Sequence, residues 1–258
     1  MERRERMLHI GACAYHEGGG AVAGEYVSLH GEAYYCIQNY DRMDPFFMSI
    51  VSNSDHWLFI SSTGGLTCGR RSADSALFAY DTDDKVAASS GDTGHKAVLR
   101  VTKGRRTHLW EPFSERYAGV YRVVRNLYKN TYGDKLVFEE RNHDLGLSYR
   151  YAWRTSDRYG FVKTAWLADE SGDGCSVALV DGLQNVMPYG TSVQTQRTFS
   201  NLLDAYKRNE LEPQTGLGIF ALSSGLTDLA EPSESLRATT VWQTGLDSAR
   251  YLLSSRQL

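Results

Sequence analysis

The sequence predicts a mainly β protein: a large antiparallel two-sheet sandwich carrying one or two short helices. Three observations carry that expectation. Turn residues recur at short intervals from Glu32 onward, a central segment alternates apolar and polar positions, and aromatic residues reach 12% of the chain, with 16 Tyr, 9 Phe and 5 Trp. Aromatic rings suit pleated surfaces, and a period of two puts every second residue on one face. One sheet with an apolar face needs a second layer to cover it.

The elements follow in order. Residues 1–31 contain the run HEGGGAVAGE and read as a flexible arm leading into the fold. A first strand is expected over 33–38, a second over 57–61 bounded by Thr63-Gly64-Gly65, and a third over 97–102 closed by Lys103-Gly104. In the centre, Leu145, Leu147, Tyr149, Tyr151 and Trp153 share one parity, while Gly146, Ser148, Arg150, Ala152 and Arg154 take the other. A helix would scatter these residues around its axis, so this is a long half-buried strand. Residues 135–141 before it, 159–168 after it and 175–180 beyond complete a four-stranded antiparallel meander. Phe199, Leu202, Leu203 and Tyr206 fall at helical spacing, with Thr191 or Ser192 as the N-cap. Strand character returns at 217–223 and 239–243, and the final DSARYLLSSRQL places Ala249, Leu252 and Leu253 on one face of a second helix. That helix lacks a C-cap, so the chain reads as a piece of a longer protein. The expected division is an arm over 1–31, a sandwich domain over 32–244, and the start of a helical linker over 245–258.

Composition removes several function classes. A net charge of −3, from 28 Lys plus Arg against 31 Asp plus Glu, supplies no general basic field for nucleic acid. Cys13, Cys36, Cys68 and Cys175 form no C-x-x-C pair, which argues against a zinc ribbon or a thioredoxin-type site and for a reduced, cytoplasmic protein. Nowhere do 18 apolar residues run together, so no membrane partner is expected. No nucleotide-binding glycine fingerprint, hydrolase elbow or zinc-protease motif is present, and neither metal nor resident cofactor is expected.

Two polar clusters are candidates for sugar recognition, in which bidentate side chains take hydroxyls and a ring takes the apolar face. The first is Asp55, His56 and Trp57, followed by Arg70, Arg71 and Asp83. Its structural alternative makes Asp55-His56 a turn, Trp57 core, and the charges solvated rims. The second is Asp181, Gln184 and Asn185 just past a strand, with a helix-capping box as its alternative. His143 with Glu139 or Glu140 presents an acid–base pair for proton exchange at an anomeric centre, the alternative being an exposed hairpin tip.

Five stretches carry a resemblance. They are PFFMSIVSNSDHWLFISSTGGLTCGRRSADSALFAYDTDDK (45–85), LWEPF (109–113), NLYKNTYGDKLVFEE (126–140), LVDGLQNVMPYG (179–190) and VWQTGLDSARYLLSSRQL (241–258). In that order they resemble the N-terminal portion of cellobiose phosphorylase-like proteins, related to glycoside hydrolase family 94, from about Glu32 to the last residue. The resemblance implies a galactose-mutarotase-like sandwich followed by a helical linker and an (α/α)6 barrel bearing the general acid. Inorganic phosphate is the implied co-substrate, attacking the anomeric carbon with inversion, and none of the family's catalytic residues falls on this chain. The implied partners are an oligosaccharide or disaccharide, the downstream barrel and a second copy in a homodimer. Two other functions compete: a free-standing aldose epimerase using His143 or His56 with Glu140, and a ligand-free dimerisation module.

Overall fold

The computed structural model describes residues 9–10, 13–225, 235–247, 249–254 and 257. The fold is mainly β, 46% strand and 12% helix, in several antiparallel sheets. The chain opens with β1 (His9–Ile10), β2 (Cys13–Ala14), β3 (Ala23–Leu29), β4 (Glu32–Gln38) and β5 (Phe47–Ile50), then β6 (His56–Ser61), β7 (Leu66–Arg70) and helix α1 (Asp83–Ala88). Next come β8 (Gly94–Lys103), β9 (Arg106–Trp110), β10 (Val123–Asn130), β11 (Lys135–Asn142), β12 (Leu147–Ser156), β13 (Gly160–Asp169) and β14 (Ser176–Gln184). Helices α2 (Val193–Thr198) and α3 (Ser200–Tyr206) precede β15 (Lys207–Glu212), β16 (Leu217–Leu222) and β17 (Thr239–Val241). These elements divide between two compact units, Met1–Ser54 with Lys96–Gly182, and Asp55–His95 with Leu183–Leu258. Both units draw on the stretch 32–244 that the sequence assigns to one domain.

The first unit is a two-layer sandwich. Its larger layer is a six-stranded sheet in the order β13-β12-β11-β10-β4-β3, and its smaller layer runs β14-β8-β9. On β12 the expected alternation holds, with Leu147, Tyr149, Tyr151 and Trp153 each 1% exposed. Across the β11–β12 ladder Phe138 faces Tyr151, and their rings stack at 4.9 Å and 7°, a favourable cross-strand pair. From the smaller layer Ala97, Leu99, Val101 and Trp110 are buried. The layers are tied by Trp110 donating to Glu140 and by Tyr149 donating to Asp181.

Two sequence expectations change here. The meander supplies β11 to β13, but the fourth strand, β14, belongs to the second layer. The connection from β13 is a broad loop in which the Asp169 carboxylate accepts from the N–H groups of Ser171, Gly172 and Gly174. Such a loop lets the chain cross between layers, as a two-residue hairpin turn would not. The expected arm over 1–31 also differs, because Ala23–Leu29 is the edge strand of the six-stranded sheet, paired with β4 along its whole length. His30 and Gly31 both take positive φ, 52° and 80°, the requirement of a tight hairpin turn. Residues 1–8 and 11–12 of that arm lie outside the described residues.

In the second unit the β6–β7 hairpin buries Leu58, Ile60, Leu66 and Cys68. Gly65 admits no side chain, since a Cβ there would fall 1.9 Å from the Val86 carbonyl oxygen of α1. The helix expected after Thr191 forms with Ser192 as its N-cap, the hydroxyl accepting from Thr195 N–H at 3.1 Å. It breaks at Phe199, where φ is −130°, so of the expected apolar stripe Leu203 is buried while Phe199 and Leu202 stay 47% and 45% exposed. Met187, Leu203 and Leu222 form the cluster that α3 covers.

Where a helical linker is expected from residue 245, the described residues 245–247 and 249–254 carry no helix. That segment lies along the β15–β16 hairpin instead. Asn209 donates to the Leu253 carbonyl at 3.1 Å, and the Tyr251 ring occupies the space above Gly216. A short isolated helix carries a costly nucleus, and tertiary contact with β15 and β16 outweighs the weak periodicity of Ala249, Leu252 and Leu253.

Candidate functional site

The first predicted cluster lies in the second unit and is largely occupied with itself. Asp55 accepts from Arg70 Nε at 2.9 Å and Nη2 at 2.7 Å, and from Arg71 Nε at 3.1 Å. The Arg70 hydrogen bond is the largest cause holding the Asp55 carboxyl below its usual value, with Arg71 adding to it. His56 is buried on β6 opposite Arg70. Trp57 pairs across the hairpin with Gly69, its ring lying where a Gly69 side chain would otherwise sit, edge-on to Tyr80 at 5.6 Å. Trp57 is therefore packed as strand, and Asp55 clamps the two arginines. Asp83 stands exposed in the first turn of α1, where its carboxylate accepts from the Asp84 N–H.

The residues of the second predicted cluster are each engaged within the fold. Asp181, in the first unit, accepts from Lys163 Nζ at 2.7 and 2.8 Å and from the Tyr149 hydroxyl. Burial pushes the Lys163 ammonium below its ordinary value, and Asp181 opposes that shift. Gln184 and Asn185 belong to the second unit, bonded to the Gly91 carbonyl at 2.8 Å and the Thr93 hydroxyl at 3.4 Å. Strand β14 runs through residue 184, so neither a capping box nor a polar edge just past the strand is formed.

The carboxylates proposed for proton exchange are neighbours on β11 that point to opposite faces, and the fold saturates both. Glu140, 2% exposed, accepts from Trp110 Nε1 at 2.8 Å, Phe113 N–H at 2.7 Å and Arg125 Nε at 2.8 Å. Phe113 holds a φ of 63° to make its bond, a conformation uncommon for a bulky residue. On the other face Glu139, 1% exposed, accepts from Asn126 at 2.8 Å, Tyr128 at 2.6 Å and Arg150 at 2.6 Å. Burial alone would raise the Glu139 carboxyl, but the bonds from Tyr128 and Asn126 and the charge of Arg150 more than offset it and keep the group below its ordinary value. His143 sits exposed on the turn after β11, and no acid–base pair with either glutamate is formed.

An open site lies at the other end of the same sheet, on residues the sequence reading passed over. A groove of about 360 Å³ is lined by Tyr26 of β3, Tyr35 of β4, Phe46 and Met48 beside and within β5, and Lys129 and Thr131 at the end of β10. By register Tyr26 faces Tyr35 and Tyr35 faces Lys129, so the three form one row across β3, β4 and β10. The two phenol rings meet edge to face at 5.2 Å and 67°. Gly24 makes this possible, since a Cβ there would stand 2.1 Å from the Tyr35 hydroxyl oxygen. Tyr35 therefore lies across the edge strand as a floor. Tyr26 is 76% exposed and Tyr35 42% exposed. The available signal was the parity of Tyr26 and Tyr35 about His30-Gly31, which reads as a hairpin once His is admitted to the left-handed region.

Among the described residues no group of three or more His, Cys, Asp or Glu could hold a metal ion, and no helix is long and apolar enough to cross a membrane. No protein-family model and no curated protein matches the chain.

Proposed function

We propose that the chain is the carbohydrate-binding and structural β-sandwich module of a cellobiose phosphorylase-like enzyme, related to glycoside hydrolase family 94, and that it binds sugar without performing the bond-breaking chemistry. One contrast within the six-stranded sheet supports the reading. The carboxylates suited to proton transfer, Glu139 and Glu140, are each consumed by three structural donors, while the sheet's aromatic groove stands open. A general acid must reach the glycosidic oxygen, and a carboxylate sealed between layers by Trp110, Phe113 and Arg125 has no route to one. In this reading the acid and the inorganic phosphate site belong to a helical barrel of the same cytoplasmic enzyme, and the sandwich contributes sugar contacts and rigidity.

Two measurements on the purified chain test it. Calorimetric titration with glucose and with cellobiose should give saturable binding, and polarimetry of fresh α-D-glucose should show mutarotation at the uncatalysed rate. A flat titration up to tens of millimolar sugar would leave only a packing module, and accelerated mutarotation abolished in Glu140→Gln would instead establish an epimerase.

A further inference from the structure

Resting on that reading, the geometry points to the groove between Tyr26, Tyr35 and Lys129 as the sugar site itself, taking one or two rings of a β-glucoside. The volume, about 360 Å³, lies at the lower end of the roughly 300–1,000 Å³ typical of small-ligand clefts. It therefore suits a monosaccharide or disaccharide better than an enclosed polymer. Its lining has the two parts that sugar recognition requires. Tyr35, braced over Gly24, presents a fixed ring, and Tyr26 stands beside it edge-on. A β-glucoside carries its substituents equatorially, which leaves an unbroken C–H face to lie on such a ring while the phenol end stays wet.

The polar part is Lys129 with Thr131. Lys129 has no ion-pair partner among the described residues, so its three ammonium hydrogens are available to ring hydroxyls. The neighbouring Asn130 is not available. Its amide donates to Glu32 at 2.7 Å and to Asp134 at 2.5 Å, and its carbonyl accepts from Lys135 N–H at 2.9 Å. Asn130 thus fixes the end of β10, from which Lys129 and Thr131 project. The platform needs no rearrangement to receive a ring, since Tyr35 is already held by the absence of a side chain at residue 24.

The test is cellobiose titration of the intact chain and of four variants, with folding checked by circular dichroism. Tyr26→Ala, Tyr35→Ala and Lys129→Met should each weaken binding at least tenfold, and Trp166→Ala, on the opposite face of the sheet by register, should leave it unchanged. Tyr26 is exposed enough that its loss leaves the fold intact, and Lys129→Met keeps both rings. If the unmodified chain binds cellobiose and the three groove variants bind equally well, the groove assignment fails while the sugar-binding reading stands. If the unmodified chain does not bind, both fail together.

Discussion

The centre and the edge of the six-stranded sheet are built on opposite terms. At the centre, on β10 to β12, the two buried carboxylates are answered from within the fold: Glu140 by Trp110, Phe113 and Arg125, Glu139 by Asn126, Tyr128 and Arg150. At the edge, on β3 and β4, an exposed Tyr26 and a half-exposed Tyr35 stand beside a lysine with no ion-pair partner among the described residues. Buried charge is retained only when paired and hydrogen-bonded, and each of these two carboxylates is already held by three donors of the fold. A titratable pair near sugar-like aromatics is thus a poor guide to a site unless its donors are counted first.

The largest effect should come from breaking the centre. Glu140→Ala would strand the Arg125 guanidinium, only 15% exposed, together with Trp110 Nε1 and the Phe113 N–H. Removing one partner of a buried ion pair costs about 3–5 kcal/mol, so urea denaturation should show a loss of that size. Cellobiose affinity of the folded fraction should be unchanged. A stable Glu140→Ala protein that loses sugar binding would reverse the roles assigned to centre and edge.

Glu139 sharpens the same contrast through pH. Its folded value lies below the ordinary 4.5, so the unfolded chain takes up a proton first as the solution is acidified. Its contribution is fully present above pH 4.5 and is lost as pH falls through the folded value. Glu139→Gln removes that linkage. The stability difference between the two proteins should therefore be largest near neutrality and shrink below pH 4.5. A difference that stays constant with pH would mean that Glu139 is not held ionised by Tyr128, Asn126 and Arg150.

At the boundary between the regions, Gly24→Ala drives a methyl into the Tyr35 hydroxyl and forces the ring off the edge strand. The displaced atoms are the far end of a half-exposed side chain, so the loss should stay below the roughly 1–3 kcal/mol of overpacking a close-packed core. Because one contact causes it, most of the loss should vanish in the Gly24→Ala, Tyr35→Ala double variant, a non-additivity expected of residues in contact. Additive losses would show that Tyr35 does not lie across Gly24.

The centre was legible in the sequence because period-two alternation survives any tertiary arrangement. Leu147 to Trp153 declared their strand, and Glu140 its inward direction two residues from Phe138. The edge was not legible. HEGGGAVAGE masked the β3 strand behind a flexible composition, and His30-Gly31 lacks the Asn-Gly form that announces a hairpin. The pairing within the two predicted clusters was hidden from the sequence for a different reason. Asp55 with Arg70 and Arg71, and Asp181 with Lys163, have the residue types of a sugar site, but the fold pairs these groups with one another. Pairing is a property of the partner strand, which local sequence does not specify. Over the described residues 249–254, contact with β15 and β16 overrides the helical spacing of Ala249, Leu252 and Leu253.

Tyr26→Ala should have the smallest effect on stability and the most informative consequence. At 76% exposure the side chain buries little, and its edge contact with Tyr35 is of the cross-strand kind, so the loss should be about 0.5 kcal/mol. Thermal unfolding of the variant and the unmodified chain should nearly coincide. Its weakened cellobiose binding would then have no explanation in stability, since the fold below it is unaltered. Placed beside Glu140→Ala, which costs stability and spares affinity, the variant completes a double dissociation between the two regions. A large drop in melting temperature for Tyr26→Ala would show instead that the edge tyrosines hold the sheet together, and the exposed rings would then be structure.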